Sequence, residues 1–249
     1  MRTLSLLVIG LLCGASAHGW EQCKYEAVSS DSIRLGRAKL VEINALAGSL
    51  EVVGEKGAKQ ITVDATACAT KEALLDDVQW GLKSKGRKII LDTDLPRDYT
   101  DDYAALNLVV TVPAGIDVNI DDTSGSMKVR RVGALEVRDR SGSITIIDAG
   151  GAVTIDDSSG SITVENVRGN LRVDDSSGSI DIEEVTGSVL VKDGSGSIRI
   201  DDVGGSVEIV DDGSGSISVA DVGGDFLVGD DGSGSISHRR VAGTVRLPD

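Results

Sequence analysis

Aromatic residues make up only 2% of this 249-residue chain, and Phe226 is its sole phenylalanine. A compact globular core normally leans on aromatic bulk. Here Ile, Val and Leu must fill the interior, beside 31 glycines, a pairing that predicts a thin, repetitive, β-rich body. Basic residues are also short: 25 Lys and Arg against 40 Asp and Glu leave a formal charge of −15. That balance argues against nucleic acid as a partner, because phosphate binding needs a basic face. Histidine is nearly missing, with only His18 and His238. Long apolar runs are missing too: Leu4–Leu12 is too short to span a bilayer.

That run reads as part of a targeting segment. Arg2 supplies a positive start, and "ASA" at Ala15–Ala17 is a small-x-small cleavage site. Residues 1–17 are therefore expected to be a signal peptide, removed before His18. Cys13 is not read as a lipidation site, because Leu12 stands where a small residue should precede it. The other cysteines, Cys23 and Cys68, form a disulfide candidate in an exported protein. A bridge would tether the N-terminal segment, 18–37, to the first sheet region; the alternative is two free thiols.

What the chain has in abundance is repetition. Ser-Gly-Ser triplets start at Ser124, Ser141, Ser159, Ser177, Ser195, Ser214 and Ser233, in steps of 17, 18, 18, 18, 19 and 19. A second glycine mark lies halfway, in "NVRGNLRV", "EVTGSVLV" and "DVGGSVEI". Within each half unit the apolar residues alternate with a period of two, as in Ile162 and Val164, then Leu171 and Val173. Such alternation marks strands with one buried face. A lone apolar residue, Val167, Val185, Val203 or Val222, marks the corner between them. Two short strands cannot bury a face alone, but stacked copies can, about 4.8 Å apart. The reading is an all-β parallel solenoid with coils of about 18 residues.

The solenoid is expected to cover 38–249, with regular repeats over 117–249 and a less regular first part over 38–116. In that part, "LVEINALAGSLEVVG" and "KQITVDATA" share the strand–glycine–strand grammar. "TKEALLDDVQWGL" interrupts it, and Leu74, Leu75 and Val78 suit a short helix near 71–79. "RKIILDTD" is a further strand, and "LNLVVTVPAG" leads into the regular array. "GSLEVVG" at Gly48–Gly54, "LNLVVTVPAG" at Leu106–Gly115 and the "SGSI…GxVxV" repeats resemble the DUF4097-type family of exported adhesin-like proteins. The resemblance implies a right-handed parallel β-helix and an export route, and it brings no set of functional residues with it.

The sharpest chemical reading of the repeat is a cation ladder. Asp122, Asp139, Asp157, Asp175, Asp193, Asp212 and Asp231 each lie two residues before a triplet and would stack in one column. Carboxylates about 5 Å apart repel by roughly 0.8 kcal/mol in water. Calcium, which takes six to eight oxygens, would relieve that repulsion. The same residues also suit turn chemistry, with the carboxylate accepting a backbone N–H and glycine supplying positive φ. The neighbouring column, Asp121, Asp156, Asp174, Asp211 and Asp230, is broken by Arg138 and Lys192, which disfavours a continuous cation wire. The corner reading is preferred, with calcium as the alternative and no other cofactor expected.

Catalysis is not expected. A nucleophilic serine needs a base in reach, and two histidines cannot serve seven serines. His18 would head the mature chain, yet its only partner for a copper brace, His238, lies in the last coil. A polysaccharide lyase would need long loops and a clustered site, which such uniform coils do not supply. The first and last regular coils carry "KVRRV" and "HRRV" where middle coils carry Glu184, Asp202 and Asp221. Basic residues there protect exposed strand edges or dock on an acidic partner. The sequence thus predicts an exported, non-enzymatic solenoid that presents an acidic, hydroxyl-rich face to an envelope or cell-surface ligand.

Overall fold

The structure, a computed structural model, describes residues 23–96 and 102–248. The expected leader, its cleavage site and His18 lie outside the described residues.

Alternation becomes one-sided strands throughout the repeats. In Leu171–Asp175, Leu171, Val173 and Asp175 are buried while Arg172 and Asp174 face out. Each coil lays its Ser-Gly-Ser-Ile half on one sheet and its second half on another. Among the described residues, the two sheets have eleven strands each and face one another across a core of Ile, Val and Leu. Ile162–Val167, Ile180–Val185 and Ile198–Val203 follow each other in the first sheet, and Val153–Asp157, Leu171–Asp175 and Val189–Asp193 in the second. Pairing is parallel and in register, so Ile144 lies beside Ile162 and Ile180 beside Ile198. The protein is a β-solenoid. Fully burying each Ile or Val contributes about 1.5–3 kcal/mol, and stacking is what makes that burial available.

The lone valines are buried corner posts. Immediately before Val167, Val185 and Val203, the residues Asn166, Glu184 and Asp202 adopt left-handed φ values of 57°, 59° and 55°. That conformation turns the chain sharply enough to bring the valine inward. It also costs non-glycine residues about 1–2 kcal/mol each.

Two coils are one residue longer, and the extra residue is expelled rather than absorbed. Ile209 pairs with Val191 and Asp211 with Lys192, so Val210 bulges out, 42% exposed. In the next coil Val228 pairs with Ile209 and Asp230 with Asp211, which leaves Gly229 over Val210. The bulge keeps Asp212 and Asp231 in the aspartate column.

Stacking order and chain order part ways at the N-terminal end. Leu40–Asn44 lies between Lys88–Asp94 and Asp117–Asp121, and Leu50–Glu55 lies between Ala104–Pro113 and Met127–Arg130. The coil that comes first in the chain is thus clasped by two later ones. "LNLVVTVPAG" reaches the regular array by stepping past it. Gln60–Ala69 runs antiparallel to Ala104–Pro113, with Tyr25–Arg34 antiparallel beyond it, while Gln79–Lys85 closes the other sheet. These reversed strands cap the stack. A 3-10 helix, Glu72–Asp77, buries Leu74 beside them, and the Trp80 indole N–H donates to Ser29 Oγ at 2.9 Å. A disulfide joins Cys23 to Cys68, whose Cα atoms are 5.4 Å apart, and ties the edge strand to its neighbour.

Candidate functional site

The repeated heptad divides by direction. In "DDSSGSI" at Asp156–Ile162, strand alternation turns Asp156 outward and Asp157 inward. Asp157 Oδ1 then accepts backbone N–H groups from Ser158 at 2.7 Å and Ser159 at 3.3 Å. Asp139 does the same with Arg140 and Ser141, and Asp193 accepts from Ser195 at 3.2 Å. The inner aspartate is therefore a corner cap, with one oxygen committed.

The other oxygen is not. Oδ2 of Asp122, Asp139, Asp157, Asp175 and Asp193, and both carboxyl oxygens of Asp212, are buried without a hydrogen-bond partner. Burial pushes these carboxyls up from their ordinary range, Asp122 to about 7 and Asp193 to about 6. Backbone N–H groups pull in the opposite direction, and neighbouring aspartates add to the rise. Asp231, in the last rung, is only half-buried.

Calcium fits this column poorly. The rungs are about 4.8 Å apart, and each of Asp139, Asp157, Asp175 and Asp193 offers one free oxygen. An ion between two rungs would meet two such oxygens where it takes six to eight. Among the described residues, no group of three or more His, Cys, Asp or Glu side chains is placed to hold a metal ion.

The Ser-Gly-Ser triplets serve the stack. Ser159 Oγ donates to the Arg140 carbonyl at 3.4 Å and Ser177 Oγ to the Ser158 carbonyl at 3.3 Å, each reaching the preceding coil. Gly178 has φ of 149°, and a Cβ built on it would lie 1.6 Å from the Gly160 carbonyl oxygen. The glycine is thus required for close approach as well as for its backbone angle. His238 takes a place equivalent to Val219 in the preceding coil and packs against Phe226 with ring centroids 6.0 Å apart.

The outward face is where polar groups remain available. Asp156, Asp230, Arg138 and Lys192 are exposed, and Asp174 and Asp211 partly so. On the other sheet, Asp181 and Glu183 face out in one coil, Arg199 and Asp201 in the next. Several charges are cross-linked between coils: Arg199 approaches Asp181 at 3.6 Å, Arg239 approaches Asp201 at 3.3 Å, and Arg240 grips Asp221, while Arg199 also approaches Asp201 of its own strand at 3.6 Å. The "HRRV" arginines are therefore already paired within the chain. A shallow groove crosses successive coils of the second sheet, floored by Thr154, Arg172, Leu190 and Glu208 and edged by Asn170 and Ser188. Its edge is a hydrogen-bonded ladder: Asn170 Oδ1 accepts from the Ser188 amide at 3.0 Å, and Ser188 Oγ from the Ser206 amide at 3.2 Å. Sequence reading missed this ladder. Its signal was the polar residue that follows each mid-coil glycine from Gly169 onward: Asn170, Ser188, Ser206, Asp225 and Thr244.

No helix among the described residues is long and apolar enough to cross a membrane. A protein-family model, Toastrack DUF4097, matches residues 42–229. Curated proteins give no match to this chain. Among solved structures, a putative adhesin from Bacteroides fragilis is similar at 12% identity and a TM-score of 0.47, over 88% of this chain and 95% of its own. A putative cell adhesion protein from Clostridium sporogenes is similar at 9% identity and a TM-score of 0.39, over 89% and 98%. A putative lipid binding protein from Parabacteroides distasonis is similar at 12% and 0.40, over 88% and 97%. Likenesses this distant carry no function across.

Proposed function

The chain belongs to the Toastrack DUF4097 family, and we propose that it is an exported, non-enzymatic binding rod that holds an acidic, hydroxyl-rich face toward an envelope or cell-surface ligand. The observation that supports this is the periodicity of the outer face. The outward row Arg138, Asp156, Asp174, Lys192, Asp211 and Asp230 sets one charged side chain on every rung, acidic at four and basic at two. A shallow periodic surface makes weak contacts singly. It gains affinity when a ligand repeats along the same direction, because each contact raises the effective concentration of the next. The reading therefore favours an extended polymer at a surface over a small molecule. The adhesin role accords with the family resemblance, and export with the N-terminal "ASA" segment.

The test is retention of the purified mature protein on a panel of immobilised surface polysaccharides and on intact cells. Saturable retention on at least one polymer, and none on its monomer units, is the expected result. Equal retention of monomer and polymer would contradict the reading. A calcium-stabilised module is the second reading, favoured by the unpartnered oxygens of the inward column. Thermal melting with EDTA and with millimolar calcium decides it: a rise of many degrees with calcium would put that reading first.

A further inference from the structure

We propose that the inward aspartate column is a proton-binding ladder: in the folded rod its carboxyl groups are held as neutral acids, so the stack is tightest in acid and loosens as they ionise. This inference is independent of what the outer face binds.

Asp122, Asp139, Asp157, Asp175, Asp193 and Asp212 are the only buried polar or charged residues among the described residues, at 0–4% exposure. They are not scattered. Asp139, Asp157, Asp175, Asp193 and Asp212 pair in register from strand to strand, so each carboxyl sits directly over the next. Each of the five from Asp122 to Asp193 keeps one oxygen with no partner, and Asp212 keeps two. An ionised carboxylate in that position loses its water, and the backbone N–H groups on Oδ1 compensate only one of its two oxygens. Stacking several of them adds repulsion between neighbours.

Among the described residues, nothing cationic points into the column. On its own strands the flanking residues Asp121, Arg138, Asp156, Asp174, Lys192 and Asp211 face outward. At the corners that follow, Arg140 is the one charge, and it too is exposed. From the opposite sheet the inward residues are apolar: Met127 and Val129, Ile144 and Ile146, and their equivalents in later coils. In the coil before Asp122 the equivalent place falls to Ala45, whose amide bonds the Asp121 carbonyl. The column thus begins where the regular repeats begin.

A proton answers both difficulties at once. It removes the charge, and it turns an acceptor-only carboxylate into a group that can also donate along the column. Metal answers them less well, because too few free oxygens meet at any one point. Since burial raises these carboxyls above the unfolded value, the folded state holds more protons than the unfolded state between about pH 4 and 7. The stabilisation is complete below that range and is lost as pH rises through it, with Asp193 releasing at about 6 and Asp122 at about 7.

The direct test is an NMR titration of aspartate carboxyl carbons in the intact protein from pH 3 to 8, run in parallel with EDTA and with millimolar calcium chloride. The expected result is a separate buried set whose midpoints are raised and ignore calcium, with Asp193 at about 6 and Asp122 at about 7. Full ionisation of every aspartate by pH 5, or calcium-dependent shifts in the buried set at neutral pH, would overturn the proposal. A second measurement uses Asp157→Asn combined with Asp175→Asn. Melting midpoints of the wild type should fall between pH 5 and 8, and the double variant should fall less. An equal fall in both proteins would also overturn it.

Discussion

Replacing Gly178 with alanine puts a methyl carbon where the preceding coil leaves no room. The new Cβ would lie 1.6 Å from the Gly160 carbonyl oxygen, and that oxygen is backbone. Ordinary contact between non-bonded heavy atoms is about 3.5 Å. The coils would have to part by about 2 Å, out of a rung spacing of about 4.8 Å. Separation on that scale breaks the hydrogen bond from the Gly160 amide to the Ser177 carbonyl, now 3.0 Å. A non-glycine residue at φ of 149°, a region almost reserved for glycine, adds about 1–3 kcal/mol. The stiffer unfolded chain returns about 0.4–1 kcal/mol. With about 1–3 kcal/mol for the steric overlap and about 1 kcal/mol for the lost hydrogen bond, the net loss should be about 2–6 kcal/mol, in the range that marks a steric or backbone fault. Urea denaturation followed by circular dichroism measures it, with Ser179→Ala in the same triplet as control. Ser179 is exposed, so its variant should stay within about 0.5 kcal/mol of wild type. A Gly178→Ala protein equally close to wild type would refute the stacking argument.

Three further outcomes follow from the same geometry. Ile180→Ala, in the buried column between Ile162 and Ile198, should cost about 2–5 kcal/mol, whereas Asp181→Ala next to it should cost little in the same urea assay. Glu184→Asn should raise stability by about 0.5 kcal/mol, because Asn tolerates the left-handed corner at φ 59° better than Glu; a lower melting temperature would count against the corner account. Cys23→Ser should lower stability by about 2–4 kcal/mol, since the bridge closes a separation of 45 residues. Reducing the wild type should reproduce that loss, and an unchanged melt on reduction would contradict it.

The regular coils were legible because their code is local. A period of two, a glycine at each corner and a fixed repeat length leave one way to bury Ile162, Val164, Leu171 and Val173 together. The heptad could also be read as a corner, since Asp-x-Ser-Gly is turn chemistry wherever it stands. Less local matters were not legible. "LVEINALAGSLEVVG" and "RKIILDTD" have the same alternation as the later coils, and alternation carries no address. It does not say that Leu40–Asn44 slots between two later strands. Gln60–Ala69 likewise alternates as a coil strand would, yet it runs antiparallel as part of the cap. The two 19-residue steps could be counted, but only the pairing shows that Val210 and Gly229 take up the extra length. At the candidate site, the repeat already set the corner column of Asp157 apart from the neighbouring column of Asp156. What it could not show is that Asp157 is buried with one oxygen left unpartnered while Asp156 is exposed, because both depend on what the strand faces.

That separation is the central claim: one half of the heptad builds the rod and the other half faces the ligand. The most direct measurement compares retention and melting for an outer-row variant, Asp156→Ser with Asp174→Ser and Asp211→Ser, on the polymer that best retains the wild type. The account predicts weaker retention with a melting temperature close to that of the wild type, because the variant removes exposed like-charge contacts (Asp156 with Asp174, Asp211 with Asp230) together with exposed opposite-charge ones through Arg138, Arg172 and Lys192. Undiminished retention by a folded outer-row variant would contradict it.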